Sequence, residues 1–147
     1  GNAASLFKVW CRRNDMDGTI VIRVLLVDDT PDVLCAMRQV LARAGDILVV
    51  GALESADSLV ARTAELLPDV VVVDLGMPGL PPLDAVTQVA ARHPEVRIVV
   101  YSGHDAPEDV EAALDSGADR FVSKFGSLAE IVASVRDVAT GHLSVRQ

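Results

Sequence analysis

Residues Val24–Pro31, with the sequence VLLVDDTP, place two adjacent carboxylates directly after a run of apolar residues. The apolar run is typical of a buried strand. Thr30 and Pro31 predict that a helix begins next, because Thr is a common N-cap and Pro is favoured at the first helical position. Asp28 and Asp29 therefore fall at the carboxyl end of a predicted strand, where two like charges repel each other and lose water. Some other group must make this pair tolerable.

Five short runs rich in β-branched residues predict strands, and segments with helical periodicity separate them. Near-continuous apolar strands of this kind indicate a parallel sheet that is covered on both faces. The pattern predicts an α/β fold, a doubly wound flavodoxin-like (βα)5 sandwich, with strand order 2-1-3-4-5 if the first and third strands are neighbours. The predicted strands are Ile20–Val27, Ile47–Leu53, Val70–Val73, Val96–Tyr101 and Arg120–Ser123.

Capping signals give the expected starts of several helices. A Ser, Thr or Asp followed three residues later by Glu is a capping box. This signal places the start of the fourth helix at Asp105 and Glu108, and the start of the fifth at Ser127 and Glu130. The second helix is predicted to begin at Ser55.

The composition limits the class of protein. The chain has 147 residues, 50% of them hydrophobic, so one folded domain is expected. Its net charge of -8 argues against a general nucleic-acid surface, which needs clustered Lys and Arg. Cys11 and Cys35 are too few for a disulfide framework and are predicted to be reduced. Because we find no membrane-spanning apolar run and no signal peptide, we expect a cytoplasmic location without membrane contact.

Polar side chains follow four of the five predicted strands. Asp74 follows the third strand, Ser102 ends the fourth and Lys124 follows the fifth. Ligands of an open parallel sheet bind beyond the carboxyl ends of its strands, so these side chains should converge with Asp28 and Asp29. Mg²⁺ takes oxygen ligands and often shares them with a phosphate, so it would relieve the repulsion among the carboxylates. A lysine and a hydroxyl beside them suit a phosphoryl group, with Asp74 as the nucleophile.

Each of these residues also has a purely structural interpretation. Asp28 and Asp29 could favour the positive end of the first helix. Asp74 could be a turn residue, Ser102 a strand-end hydroxyl and Lys124 a solvated surface charge. These alternatives weaken together, because all five residues fall at strand ends and the elements between them are in order. The sequence has no GxxxxGK, GxGxxG, GxSxG or HExxH motif that would indicate another chemistry.

Four segments in order, VLLVDDTP, DVVVVDLGMPG, VVYSGHD and GADRFVSK, resemble the receiver domain of bacterial two-component response regulators. The resemblance covers about residues 20–141. It implies a phosphoacceptor signalling switch, not an enzyme with a separate substrate. A sensor histidine kinase would supply the phosphoryl group. The surface formed by the fourth helix, the fifth strand and the fifth helix would change and control an output, and the expected output is transcription.

The resemblance also assigns roles to individual residues. Phe121 lies at the position of the family's aromatic switch, which turns inward when the Ser102 hydroxyl moves toward the phosphate; a simple core Phe is the alternative. His104 and Gly76 lie where the family tunes the lifetime of the phosphate. The remaining roles are the phosphoacceptor Asp74, the phosphoryl contacts Ser102 and Lys124, and the Mg²⁺ ligands Asp28, Asp29, Asp74 and the Gly76 carbonyl.

The segment from Ser123 onward resembles regulators that have a LuxR-type helix-turn-helix after the receiver. In this interpretation, residues 142–147 begin a linker to a missing output domain, which alone would contact DNA. Residues 1–19 have no place in the strand–helix repeat and are predicted to be an N-terminal extension or a remnant of cloning. Homodimer formation is left open.

Two other functions stay open. A phosphorylation-independent interaction module of this fold would respond to partners through the loop at Pro81–Pro82 or through residues 1–19. A flavodoxin-like hydrolase would act on a small phosphoester, although the sequence gives no signal of a substrate pocket.

Overall fold

The computed structural model describes residues 20–77 and 81–145, and the predictions about residues 1–19 fall outside them. The described residues form a parallel sheet and five flanking helices. The strands are β1 (Ile22–Val27), β2 (Ile47–Leu53), β3 (Val70–Val73), β4 (Arg97–Ser102) and β5 (Arg120–Ser123). The helices are α1 (Pro31–Arg43), α2 (Leu59–Leu66), α3 (Pro82–Arg92), α4 (Pro107–Ser116) and α5 (Ala129–Val145).

The strand order is β2-β1-β3-β4-β5, which confirms the predicted doubly wound fold. Val27, the last residue of β1, pairs with Val73, the last residue of β3, and Val73 pairs with Val100, two residues before the end of β4. All strands run in the same direction, so the residues that follow β1, β3 and β5 emerge at the same edge of the sheet.

Two apolar clusters hold the helices to the two faces of the sheet. Because side chains alternate along a strand, β1 sends Leu26 to one face and Leu25 to the other, and both are fully buried. One cluster lies under α1 and α5, and the other lies under α2, α3 and α4. Burying one such Leu side chain contributes about 1.5–3 kcal/mol to the stability of the fold. These contacts hold the helices on the sheet, and they thereby hold in place the edge at which the polar residues lie.

Two predicted helix starts are wrong. The second helix begins at Leu59, four residues later than Ser55, because the Ser55 hydroxyl accepts the Asp57 N–H at 3.3 Å and holds a turn there. The fourth helix begins at Pro107, whose ring fixes a helical φ and needs no N–H partner. The carboxylate that accepts the N–H of the capping residue Ala106 is therefore Asp109, at 3.2 Å. The predicted box at Asp105 and Glu108 is one residue early.

The fifth helix begins at Ala129, one residue after the start that a Ser127 N-cap predicts. The Ser127 hydroxyl accepts the N–H of Ala129 at 2.9 Å, and the helix continues to Val145. Across the described ranges, no helix has the length and apolar character needed to cross a bilayer.

Candidate functional site

The first two carboxylates of the site lie in the tight connection between β1 and α1. The N–H of Asp28 donates to the Leu53 carbonyl at 2.9 Å, so the β1–β2 pairing continues to this residue. The Asp28 side chain is fully buried, and its Oδ1 accepts the N–H of Thr30 at 2.9 Å. Asp29 is exposed. Thr30 takes the N-cap position of α1, but its hydroxyl makes no capping bond to the helix.

The third carboxylate follows β3 directly. The N–H of Asp74 donates to the Val27 carbonyl at 2.9 Å, which places Asp74 beside the end of β1. Its side chain is buried, and Oδ1 accepts the N–H of Gly76 at 3.1 Å. This bond turns the chain so that a Cβ at position 76 would lie 3.7 Å from both carboxylate oxygens of Asp74. A glycine there adds no side-chain atom beside the Asp74 carboxylate.

Lys124 joins the two buried carboxylates. Its N–H donates to the Ser102 carbonyl at 2.9 Å, which extends the β4–β5 pairing by one residue. Its Nζ lies 3.1 Å from Asp28 Oδ2 and 3.2 Å from Asp74 Oδ1. In the described part of the chain, the Asp74 side chain has two contacts, one from Gly76 and one from Lys124, and both are to Oδ1. The second oxygen of Asp74 is left for another partner.

Asp28, Asp29 and Asp74 form one cluster, in which one carboxylate oxygen from each lies within 4.8 Å of the others. Among the described residues, three carboxylates face one ammonium, that of Lys124, so negative charge is in excess by two. Hard oxygen ligands with excess negative charge suit a divalent cation such as Mg²⁺. The donor set therefore fits the metal that the sequence predicted.

The buried position of the cluster changes two pKa values. Burial raises the pKa of the Asp74 carboxyl and the charge of Asp28 adds to the increase, while the hydrogen bonds from Gly76 and Lys124 offset part of it. Burial alone would lower the pKa of Lys124, but its hydrogen bond to Asp28 and the charge of Asp74 raise it above the ordinary value. Lys124 is therefore a fixed positive charge at neutral pH.

Ser102 and Phe121 lie on the neighbouring strands. Ser102 is fully buried at the end of β4, where its Oγ accepts the N–H of His104 at 3.0 Å, which leaves the hydroxyl proton available for a further acceptor. Phe121 is half-buried on β5 and packs against the apolar cluster under α2, α3 and α4. It is thus neither a fully buried core residue nor a free surface residue.

Two features of the site were not predicted. The Lys124 ammonium lies over the ring of Tyr101, 5.5 Å from its centroid, a distance within the range of a cation–π contact. The Ser123 hydroxyl donates to Asp105 Oδ2 at 2.6 Å, which joins the β4–α4 loop to the end of β5. Neither contact has a sequence signal, because each depends on how close two strands or loops lie in space.

Comparison with known proteins places this geometry in a family. A family model described as the response regulator receiver domain matches residues 24–136. The chain belongs to the response regulator receiver family. The fold and the family predicted from the sequence are both confirmed, and the receiver domain is the signalling module of two-component systems whose homologues include transcription regulators.

Several curated proteins are similar to this receiver domain. Response regulator GacA of Pseudomonas viridiflava is 33% identical over 121 residues, and the nitrate/nitrite response regulator NarL of Escherichia coli K12 is 31% identical over 120 residues. Each alignment covers 82% of this chain and 56% of the relative. The chain thus spans a little over half the length of these relatives.

Solved structures agree with the fold. The signal receiver domain of NarL from Mycobacterium tuberculosis is 31% identical, with a TM-score of 0.78, and the match covers 82% of this chain and 98% of that one. The isolated receiver domain of RcsB from Salmonella enterica serovar Typhimurium, solved with the phosphomimetic BeF3-, is 26% identical with a TM-score of 0.72. That match covers 80% of this chain and 89% of the RcsB chain.

Proposed function

We propose that this receiver domain is a phosphorylation switch whose Asp74 accepts a phosphoryl group from the phosphohistidine of a sensor histidine kinase. The observation that supports this most directly is the arrangement of Lys124 between two buried carboxylates, Asp28 and Asp74, at the carboxyl edge of the sheet. An ammonium held there is next to the place where a phosphoryl group on Asp74 would develop negative charge.

The transfer begins at the carboxylate of Asp74. Because its described contacts are both to Oδ1, Oδ2 is the oxygen that attacks phosphorus. The new bond joins Oδ2 to phosphorus, and the phosphorus–nitrogen bond of the donor breaks, with the electron pair remaining on the histidine nitrogen. Gly76 itself places no side-chain atom beside the carboxylate.

Two side chains stabilise the phosphoryl group. The Nζ of Lys124, 3.2 Å from Asp74 Oδ1, donates to one phosphoryl oxygen. The hydroxyl of Ser102, whose oxygen already accepts the N–H of His104, donates its proton to another. Phe121 then turns inward on β5, and the surface of α4, β5 and α5 changes as the output signal.

Asp28, Asp29, Asp74 and the backbone carbonyl of Gly76 are the groups that hold Mg²⁺ in this proposal. When bound, Mg²⁺ neutralises charge on the carboxylates and on the phosphoryl oxygens. Water later attacks phosphorus, the bond to Asp74 Oδ2 breaks, and inorganic phosphate leaves, which resets the switch. The domain therefore catalyses its own modification and demodification and turns over no separate substrate.

The output is proposed from the relatives. Since this chain spans 56% of the length of GacA and NarL, we propose residues 20–141 as the receiver and residues 142–147 as the start of a linker to a helix-turn-helix domain. That domain would bind DNA and regulate transcription in response to Asp74 phosphorylation. Residues 1–19 are proposed as an N-terminal extension.

Chemical phosphorylation tests the proposal. The protein is incubated with acetyl phosphate and Mg²⁺, and intact mass is recorded for wild type, Asp74→Asn and the control Asp115→Asn, which changes an exposed Asp of α4. We expect the mass of one phosphoryl group on wild type and on Asp115→Asn, and none on Asp74→Asn or with EDTA. Absence of labelling on the wild type would contradict the proposal and favour a phosphorylation-independent interaction module.

A further inference from the structure

The end of the β4–β5 pairing contains a side-chain link beyond the last backbone bond. The backbone pairing ends where the N–H of Lys124 donates to the Ser102 carbonyl at 2.9 Å. The Ser123 hydroxyl then donates to Asp105 Oδ2 at 2.6 Å, the short distance expected when the acceptor is a carboxylate. Asp105 comes three residues after Ser102, and Ser123 comes one residue before Lys124. The link therefore joins the two segments that bear the proposed phosphoryl contacts.

Both segments are short and held at each end. In the β4–α4 loop, the N–H of His104 donates to the Ser102 hydroxyl oxygen at 3.0 Å, and Ala106 is fixed at the start of α4 by Asp109. Asp105 lies between these two points, so a displacement of Ser102 is transmitted to it over three residues. The loop has little length in which to absorb such a movement.

The other segment ends in an exposed aromatic side chain. The Ser123 oxygen that donates to Asp105 also accepts the N–H of Phe125 at 3.1 Å, and the Ser123 carbonyl accepts the N–H of Gly126 at 3.2 Å. The side chain of Phe125 is 82% exposed. A single hydroxyl thus connects the β4–α4 loop to the turn that presents Phe125.

We infer that the Asp105–Ser123 hydrogen bond couples the phosphoryl site to the Phe125 turn, so that occupation of the site changes the environment of Phe125 through this link. The inference rests on the proposed function. It adds a second output position, at the β5–α5 turn, and it names Asp105 and Ser123 as positioning residues that do not touch the phosphoryl group.

A tryptophan introduced at position 125 reports the change. Trp10 is the only Trp of the chain, so Trp10→Phe combined with Phe125→Trp gives a parent protein with one tryptophan, at the turn, which is excited selectively at wavelengths that Tyr101 does not absorb. Beryllofluoride with Mg²⁺ serves as the phosphoryl probe, and its binding is measured separately by fluorine NMR.

Two variants remove the link. Asp105→Ala removes the Ser123–Asp105 bond alone, and Ser123→Ala also removes the bond to the N–H of residue 125. Controls are Asp105→Asn and Ser123→Thr, which keep an acceptor and a hydroxyl, and Ser116→Ala on α4.

We expect the parent to bind beryllofluoride with a change in the emission of the introduced tryptophan. Both link variants should bind it as well, with the amplitude of the emission change reduced about twofold or more, while the three controls keep the full change. Full amplitude in Asp105→Ala and Ser123→Ala would overturn the inference, as would loss of binding in them or an unresponsive fluorophore in a parent that binds. A parent that binds no beryllofluoride would instead contradict the proposed function, and the inference with it.

Discussion

The two edges of the sheet use aspartates in opposite ways. At the carboxyl edge, Asp28, Asp29 and Asp74 face one ammonium within the described residues, so negative charge is in excess. At the amino edge, an Asp comes directly before each of β2, β3 and β5, at positions 46, 69 and 119. Asp46 pairs with Arg136 and Asp119 pairs with Arg97, while Asp69 accepts the backbone N–H of Arg23.

The hydrogen bonds of the two edges differ as well. At the amino edge, Asp69 Oδ2 accepts the N–H of Arg23 and Asp119 Oδ2 accepts the N–H of Ile98, both at 2.9 Å, so each carboxylate joins two strands. At the carboxyl edge, Asp28 and Asp74 accept the N–H of the residue two positions later in their own turn. Ion pairs and cross-strand bonds stabilise the sheet at the amino edge, whereas local bonds and excess charge at the carboxyl edge leave carboxylate oxygens free to bind a ligand.

Replacing an amino-edge carboxylate should give the largest loss of stability. Asp119→Ala removes the partner of the Ile98 N–H and of the Arg97 guanidinium, whose side chain is only 9% exposed. A buried charge that loses its partner costs about 3–5 kcal/mol. We expect a decrease of that order in the free energy of unfolding, measured by urea denaturation.

The matched control for Asp119 is Asp137→Ala, which breaks the exposed pair of Asp137 with Arg120. Exposed pairs contribute about 0–1 kcal/mol, so the control should stay close to wild type. If Asp119→Ala were as stable as the control, the amino edge would not have the structural role we give it.

Replacing a carboxyl-edge carboxylate should increase the stability of the domain. Without Mg²⁺, Asp74→Asn removes a buried charge that lies beside Asp28, at a position where burial already raises the carboxyl pKa. Relief of such a cost at a functional site commonly adds about 1 kcal/mol of stability. We expect a higher melting temperature for Asp74→Asn than for wild type in EDTA.

Mg²⁺ should reduce the difference in stability between wild type and Asp74→Asn, because it should stabilise wild type more. At about ten times its dissociation constant, which is of millimolar order for a partly hydrated site, it should stabilise wild type by about 1.4 kcal/mol and Asp74→Asn by less. The amino-edge variant Asp69→Asn serves as the control, and its Mg²⁺ response should equal that of wild type. If Mg²⁺ stabilised wild type and Asp74→Asn equally, the metal would bind at a site that does not include Asp74.

The sequence predicted the carboxyl edge better than the amino edge, for a physical reason. Asp28, Asp74 and Lys124 each follow an apolar run, and the rule that parallel strands end at a common edge brings them together without knowledge of their contacts. Asp46, Asp69 and Asp119 give an equally regular signal before three strands, but their partners depend on strand register. Strands buried on both faces are near-continuously apolar, so their pattern has no alternation that would define the register.

The link between Asp105 and Ser123 shows a second limit of the sequence pattern. The capping signal placed Asp105 at the start of the fourth helix, and only the competition with Pro107 moves that start by one residue. The displaced carboxylate is then available to Ser123, which is 18 positions away in the chain. A contact of this kind follows from the distance between two loops in the folded domain, which local propensities do not specify.

The smallest effect should appear at Asp46, the most exposed carboxylate of the amino edge. Arg136 donates to both of its oxygens, at 2.8 and 3.0 Å, and these hydrogen bonds lower the pKa of Asp46 below 3.8. The pair therefore adds stability above pH 3.8, and this contribution is lost as the pH falls through the folded-state pKa.

Arg136→Gln should be slightly less stable than wild type at pH 7, and the difference should shrink at pH values below about 3.8. Urea denaturation across this range, with Arg38→Gln on the exposed side of α1 as the control, measures it. A difference that stayed constant with pH would mean that Arg136 stabilises the edge through its bond to the Ala44 carbonyl and not through the charge of Asp46.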